Sequence, residues 1–129
     1  MSKTTPTQRT LAHLRRNGLQ AFIVERWIPI PGHPGGGVKK DMGGFADIIA
    51  CGSGEIIAIQ CTSGLQFSRH INKYRDSDDV MEAILAWVRS GGYFEIWGWR
   101  KLLAKRGGKA KVWRPRIERY AEEHLMEAV

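Results

Sequence analysis

The sequence predicts the α/β class, a mixed β-sheet flanked by helices, and three observations predict it. Residues 45–63, FADIIACGSGEIIAIQCTS, are two apolar runs about Gly52-Ser53-Gly54, the pattern of a tight β-hairpin. From Leu65 onward, Ile71, Tyr74, Asp78, Met81, Leu85 and Val88 recur at three- and four-residue spacing, apolar except for Asp78, as a helix requires. After Gly91-Gly92 the segment YFEIWGW returns to strand composition. Helical and extended patterns therefore mix along one chain, in the order α-β-β-β-α-β-β-α.

The elements follow in turn. Thr5 to Asn17 reads as a helix with Leu11 and Leu14 on one face and Asn17-Gly18 as its stop. LQAFIVERWIPI, residues 19–30, reads as one strand ended by Pro29 and Pro31. The segment 31–44, PGHPGGGVKKDMGG, reads as a long glycine-rich loop, able to close on a substrate. The hairpin comes next, then the long helical zone, with Ser77 before Asp78 and Asp79 as a possible cap and a break near residue 76. The basic stretch around Gly107-Gly108 suggests a second hairpin returning through AKVWRP, and ERYAEEHLMEAV, residues 118–129, reads as a C-terminal helix.

Bulk composition narrows the function classes. The 129 residues suffice for one domain, 1–129, with a real core. Apolar content of 43% and charged content of 26% are those of an ordinary globular protein. No stretch has the roughly 18 consecutive apolar residues of a membrane span, and MSKTTPTQRT lacks the apolar core of a secretory signal, so a cytoplasmic protein is expected. Cys51 and Cys61 form no CxxC pair and read as small buried hydrophobes. His13, His33, His70 and His124 show no zinc-ligand spacing with them.

Charge points to a polyanionic partner. Twenty basic residues against 13 acidic ones give a net charge of +7. The stretch 100–119 holds Arg100, Lys101, Lys105, Arg106, Lys109, Lys111, Arg114, Arg116 and Arg119 against the single acid Glu118. Such a local field favours nucleic acid. Trp113 within it is a candidate for stacking on bases. Trp97 and Trp99 share one face of their strand and are expected in the core.

The first hairpin carries the chemistry. Centring its turn between Ser53 and Gly54 sets Asp47 opposite Gln60, and directly opposed residues have Cβ atoms about 4.5–5.5 Å apart. Period-two alternation puts Thr62 on the face of Gln60. A carboxylate in so apolar a run needs a partner or a ligand. One reading is a strand-end acid bonded to a turn. The other is a hard-cation site, with oxygen from Asp47, the Gln60 amide and a backbone carbonyl near Cys61. Mg²⁺ or Mn²⁺ suits such donors, polarises a phosphodiester and lowers the pKa of an attacking water.

Taken together, Asp47 and Gln60-Cys61-Thr62 resemble the PD-(D/E)XK nuclease superfamily, especially its compact Holliday-junction-resolvase-like and phage-encoded members. That pattern is an Asp at the start of one strand, then an acid, one residue and a lysine on the next. The setting is similar as well, over roughly residues 8–117: a preceding helix and strand, the paired strands GGFADIIA and EIIAIQCTS, a basic helix with Arg69, His70, Lys73 and Arg75, and GYFEIWGWRK as a late strand. The resemblance implies a restriction-endonuclease-like core. It also implies a Mg²⁺- or Mn²⁺-dependent DNA endonuclease, usually a homodimer, acting on branched or structured DNA, with no small-molecule cofactor and no membrane. A phage-encoded protein would act in its host's cytoplasm.

Two positions depart from the pattern. Gln60 brings no charge, and Thr62 stands where the lysine is expected. Lys73, or Lys39 or Lys40 on the glycine loop, would then take the lysine's part. The first helix has Gln8 and Thr10 where resolvase-like members often carry a Glu. Of the remaining acids, Glu25 and Asp41, Asp41 is favoured as the second carboxylate. The implied catalytic set is thus Asp47, Gln60, Thr62 and Lys73, with Asp41, Asp47, Gln60 and Cys61 about the metal. The implied DNA contacts are Arg69, Arg100, Lys101, Lys105, Arg106, Lys109, Lys111, Trp113 and Arg114. His33 is a candidate proton shuttle. The same fold with a decayed active site, binding DNA without cutting it, is the competing expectation. An RNA-binding or assembly protein rests on charge and size alone.

Overall fold

A computed structural model describes residues 4–126. A helix, α1 (Pro6–Arg16), opens the chain. Thr5 and Gln8 form a reciprocal capping box at its start, which gives Gln8 a structural duty. The strands β1 (Gln20–Ile23), β4 (Ile48–Gly52), β5 (Glu55–Ser63), β6 (Tyr93–Leu103) and β7 (Lys111–Tyr120) make one mixed sheet in the order β1-β4-β5-β6-β7. The steps β1–β4, β4–β5 and β6–β7 are antiparallel, and β5–β6 is parallel. The parallel step is crossed by the helices α2 (Phe67–Arg75) and α3 (Asp78–Arg89), and a short α4 (Glu122–Met126) follows β7. The α/β class and mixed sheet are as the sequence predicts.

The two faces of the sheet bury separate cores. Leu14 of α1 packs with Ala21, Ile48, Ala50, Ile57, Ile59, Trp97 and Trp99 on one face. On the other, Ala58, Phe94 and Ile96 meet Phe67, Ile71 and Tyr74 of α2 and Ile84 and Leu85 of α3. Both Trp97 and Trp99 are buried as expected, and the Trp99 indole N–H donates to Thr10 Oγ1 at 2.8 Å. Buried Glu95 is paired by Arg119 at 2.8 Å, which also reaches Glu55, so its charge is offset within the fold. Neither cysteine is bonded to the other, and both are half-buried. Among the described residues no helix is long and apolar enough to cross a membrane.

Three expectations about element bounds change, and the break near residue 76 is found. The strand expected over 19–30 breaks at Val24-Glu25. Val24 donates its N–H to Asp47 O at 2.9 Å, and the chain then leaves the main sheet as β2 (Arg26–Pro29). The expected loop contains a further strand, β3 (Gly37–Lys40), which pairs with β2 as a separate two-stranded sheet. Gly37 permits that pairing, because a Cβ there would lie 2.9 Å from Pro29 Cα. The long helical zone divides at residue 76 as expected, and Ser77 Oγ accepts from Val80 N–H at the start of α3. The helix expected from residue 118 begins only at Glu122. Residues 118–120 instead pair with Ile96, Glu95 and Phe94 of β6, a tertiary contact that overrides the local pattern. The last three residues of that expected helix, 127–129, lie outside the described residues.

Candidate metal centre and basic arm

Three chain segments bring three carboxyls together. Register alone explains how. Met42 and Ala46 bridge across a turn made by Gly43 and Gly44, both at positive φ. Asp41 and Asp47 flank that bridge, so they face each other across it. On the other side of Asp41, β2 pairs Arg26 with Lys40, and one step further Glu25 lies across from Asp41. Oxygens of Glu25, Asp41 and Asp47 lie within 4.8 Å of one another. Sequence reasoning reached Asp41 and Asp47 and ranked Glu25 below Asp41. The β2–β3 pairing that recruits Glu25 was hidden in the expected loop.

Asp47 is the most buried of the three, with 4% of its surface exposed. It occupies the bend just before β4, and its N–H donates to Ile59 O at 2.8 Å. The β4–β5 register, from Gly52 opposite Glu55 to Ile48 opposite Ile59, is the expected one, and it delivers Gln60 beside Asp47. Gln60 Nε2 and the Cys61 N–H both donate to Asp47 Oδ2 at 2.8 Å. These bonds leave Oδ1 available to a cation. Burial first, then a shared hydrogen bond with Asp41 and the charges of Asp41 and Glu25, push the Asp47 carboxyl up to about 9, against a lowering by the Cys61 N–H.

Gln60 does not play the part expected of it. Its Oε1 accepts from the Tyr74 hydroxyl at 2.6 Å while its amide nitrogen holds Asp47. It therefore positions Asp47 and offers no oxygen to the acidic cluster. Cys61 likewise contributes its N–H. Its thiol lies against Thr10 and Thr7 of α1 and is pushed up to about 12 by burial. Thr62 is buried on the expected face, but its hydroxyl reaches only Ser63 O, at 3.4 Å, and stays outside the Asp47 network. Tyr74, read from the sequence as a helix core residue, is the group that locks Gln60. Its hydroxyl left no signal in the sequence.

Lys73 lies on the same cleft as Asp41. It lines a cleft of about 690 Å³ with Asp41, Lys39, Lys40, Arg26 and the Gly43-Gly44 turn. Lys39 Nζ is 3.8 Å from Glu25. His70, one turn before Lys73 on α2, is half-buried; desolvation and the neighbouring Lys73 lower its pKa, against an opposing pull from Asp41. Arg69 is exposed and reaches Gln66 at 3.4 Å. His33 lies elsewhere, in the β2–β3 turn, where its Nδ1 accepts from Gly35 N–H at 3.2 Å.

The donor set fits a hard divalent cation. Three carboxyls crowd one spot, with Lys39 3.8 Å from Glu25 and Lys73 lining the adjoining cleft beside Asp41, and burial first, then Asp41 and Glu25, make a negative charge on Asp47 costly. Neutralisation by a cation removes that penalty, and an all-oxygen set of this kind suits Mg²⁺ or Mn²⁺.

The other predicted residues gather at the far end of β6 and β7. Ser63 opposite Trp99 is the last β5–β6 pair, and beyond it β6 and β7 continue alone, from Arg100 opposite Arg114 to Leu103 opposite Lys111. Lys105, Arg106 and Lys109 lie in the exposed connection. Trp113 is 41% exposed, with the Arg9 guanidinium stacked 3.7 Å from its ring centre and Lys101 at 5.3 Å. Arg9 thus ties the arm's base to α1, a contact the sequence did not suggest. Comparison with family models, curated proteins and solved structures gives no match for this chain.

Proposed function

We propose that this protein is a metal-dependent endonuclease that hydrolyses phosphodiester bonds in DNA, with branched or otherwise structured DNA as its substrate class. One observation carries the reading: oxygens of Glu25, Asp41 and Asp47 converge within 4.8 Å, and Asp41 of that cluster lines an open cleft together with Lys73. With β2–β3 interposed after β1 and two helices in the crossover, the succession α1, β1, the pair β4–β5, α2–α3 and β6 is compatible with the restriction-endonuclease-like core that the Asp47 motif implies.

Glu25, Asp41 and Asp47 would hold Mg²⁺ or Mn²⁺, which when bound would neutralise phosphate charge and make a water more acidic. Gln60, held by Tyr74, keeps Asp47 oriented. Lys73, which lines the cleft with Asp41, would take the part that Thr62 leaves open and hold a phosphate oxygen there. Arg69, on the same helical face as Lys73, contacts the phosphate backbone. The acids would bind the cation, the lysine would orient the phosphate, and the cleft walls would position the strand.

A second reading is a nuclease fold that binds DNA without cutting it. The locked amide of Gln60 and the absence of a lysine at Thr62 favour it. Labelled four-way-junction, flap, duplex and single-stranded DNA, incubated with Mg²⁺ or Mn²⁺ and with EDTA, separate the two. Metal-dependent cutting is expected for the wild type and is lost in Asp47→Asn, which retains the bonds from Gln60 and Cys61. Salt-sensitive binding with no cleavage of any substrate establishes the binding module instead.

A further inference from the structure

The β6–β7 arm has cations on both faces, and that distribution constrains its ligand. From residue 100 to residue 114 there are seven cations, Arg100, Lys101, Lys105, Arg106, Lys109, Lys111 and Arg114, and no acid. None of the seven is ion-paired among the described residues. Strand alternation assigns the faces. Lys101 pairs with Trp113 and Leu103 with Lys111, and the Arg9–Trp113 stack fixes this face as the α1 side. Arg100 pairs with Arg114 and Leu102 with Val112 on the opposite side, where Arg116 lies over the Phe67 ring of α2. Like charges directly opposed across a ladder are destabilising, so the Arg100–Arg114 pair costs stability until an anion lies against it.

We propose that this arm inserts into the major groove of duplex DNA, its two faces against the phosphates of the two groove walls. This rests on the reading of DNA as the substrate and deepens it. A single strand lying along one face leaves the cations of the other unused, whereas a groove presents phosphate to both. The B-form major groove, about 12 Å wide, admits a two-stranded ribbon. The four strand residues from Arg100 to Leu103 extend about 14 Å past the last β5–β6 pair, enough to reach its floor about 8.5 Å down. The major groove of duplex RNA is too narrow for such a ribbon.

Binding in EDTA tests the arm without cleavage. Kd for a 20-base-pair DNA duplex, its single strand and the matching RNA duplex is measured between 50 and 200 mM salt. The wild type and the variants Arg100→Ala/Arg114→Ala and Lys101→Ala/Lys111→Ala are compared, each checked by circular dichroism. The DNA duplex is expected to bind tightest. Both double variants should weaken it, and each should flatten its salt slope by about 0.9 for every phosphate it no longer neutralises. Weakening confined to one variant, or equal affinity for single-stranded DNA or duplex RNA, overturns the groove geometry. Cleavage by the wild type, scored separately, tells the two readings apart. Metal-dependent cutting without the two-face behaviour removes only the arm, and two-face duplex binding without cutting removes only the nuclease.

Discussion

Asp47 depends on a chain of three residues. The Tyr74 hydroxyl donates to Gln60 Oε1, and Gln60 Nε2 donates to Asp47 Oδ2, so the orientation of this buried carboxyl is set from inside α2. Such outer partners commonly govern metal affinity by about 10–100-fold. Tyr74→Phe keeps the ring packed against Phe94 but removes the donor, leaving a buried amide oxygen unpaired. Its expected effect is a Mn²⁺ affinity at least about 10-fold weaker by calorimetric titration without DNA, while DNA affinity in EDTA is unchanged. Equal Mn²⁺ affinity in the variant and the wild type would show that Asp47 does not need this relay. Asp47 and Gln60 were legible in the sequence because the hairpin turn is short and its register calculable. The direction of the amide was not, since it follows from one hydroxyl fourteen residues away.

At the scale of elements, the site is built by a turn. The segment DMGGFAD folds back through Gly43 and Gly44, so that Met42 bridges Ala46 and the two flanking acids meet. Gly44 has φ of 82°, and a Cβ there would lie 2.7 Å from Val80 Cγ2 of α3. Gly44→Ala therefore combines the left-handed backbone cost, about 1–2 kcal/mol, with a clash against a stiff β-branched neighbour. The urea midpoint should fall at unchanged m-value, and Mn²⁺ affinity should fall with it because Asp41 is displaced. A variant as stable as the wild type would show that the turn relaxes freely. This scale also separates what was readable from what was not. The hairpin at Gly52–Gly54, α1 and the division at Ser77 follow from local periodicity and caps, and they stand where expected. The β2–β3 pair does not follow from periodicity, because Pro29, Pro31 and Pro34 and the glycines between them read as punctuation. With that pair went the signal for Glu25, whose place beside Asp41 depends on non-local register.

For the molecule as a whole, the acidic cluster couples stability to pH and to cation. A carboxyl whose folded pKa is raised keeps its proton where the unfolded chain has already lost it. Without cation, stability should then fall as pH rises from the unfolded value of 3.8 towards about 9, and the loss is complete above that. A cation takes the proton's place, so its affinity should climb over the same window as binding displaces the proton. At pH 8 and a Mg²⁺ or Mn²⁺ concentration about a hundredfold above Kd, mass action adds about 2.7 kcal/mol, raising Tm by several degrees. At pH 5 the same concentration should add little. Asp47→Asn has no proton to lose at this position, so its apo stability should be flatter with pH and exceed the wild type's at pH 8, and the cation response should shrink. Scanning calorimetry at pH 5 and pH 8, with cation and with EDTA, on both proteins gives the comparison. A cation-independent Tm at pH 8, together with parallel pH slopes in the two proteins, would mean that Glu25, Asp41 and Asp47 are not held together for a metal. The strain at Asp47 would then have to be relieved within the chain itself, and Lys39, 3.8 Å from Glu25, is the cation positioned to begin that relief.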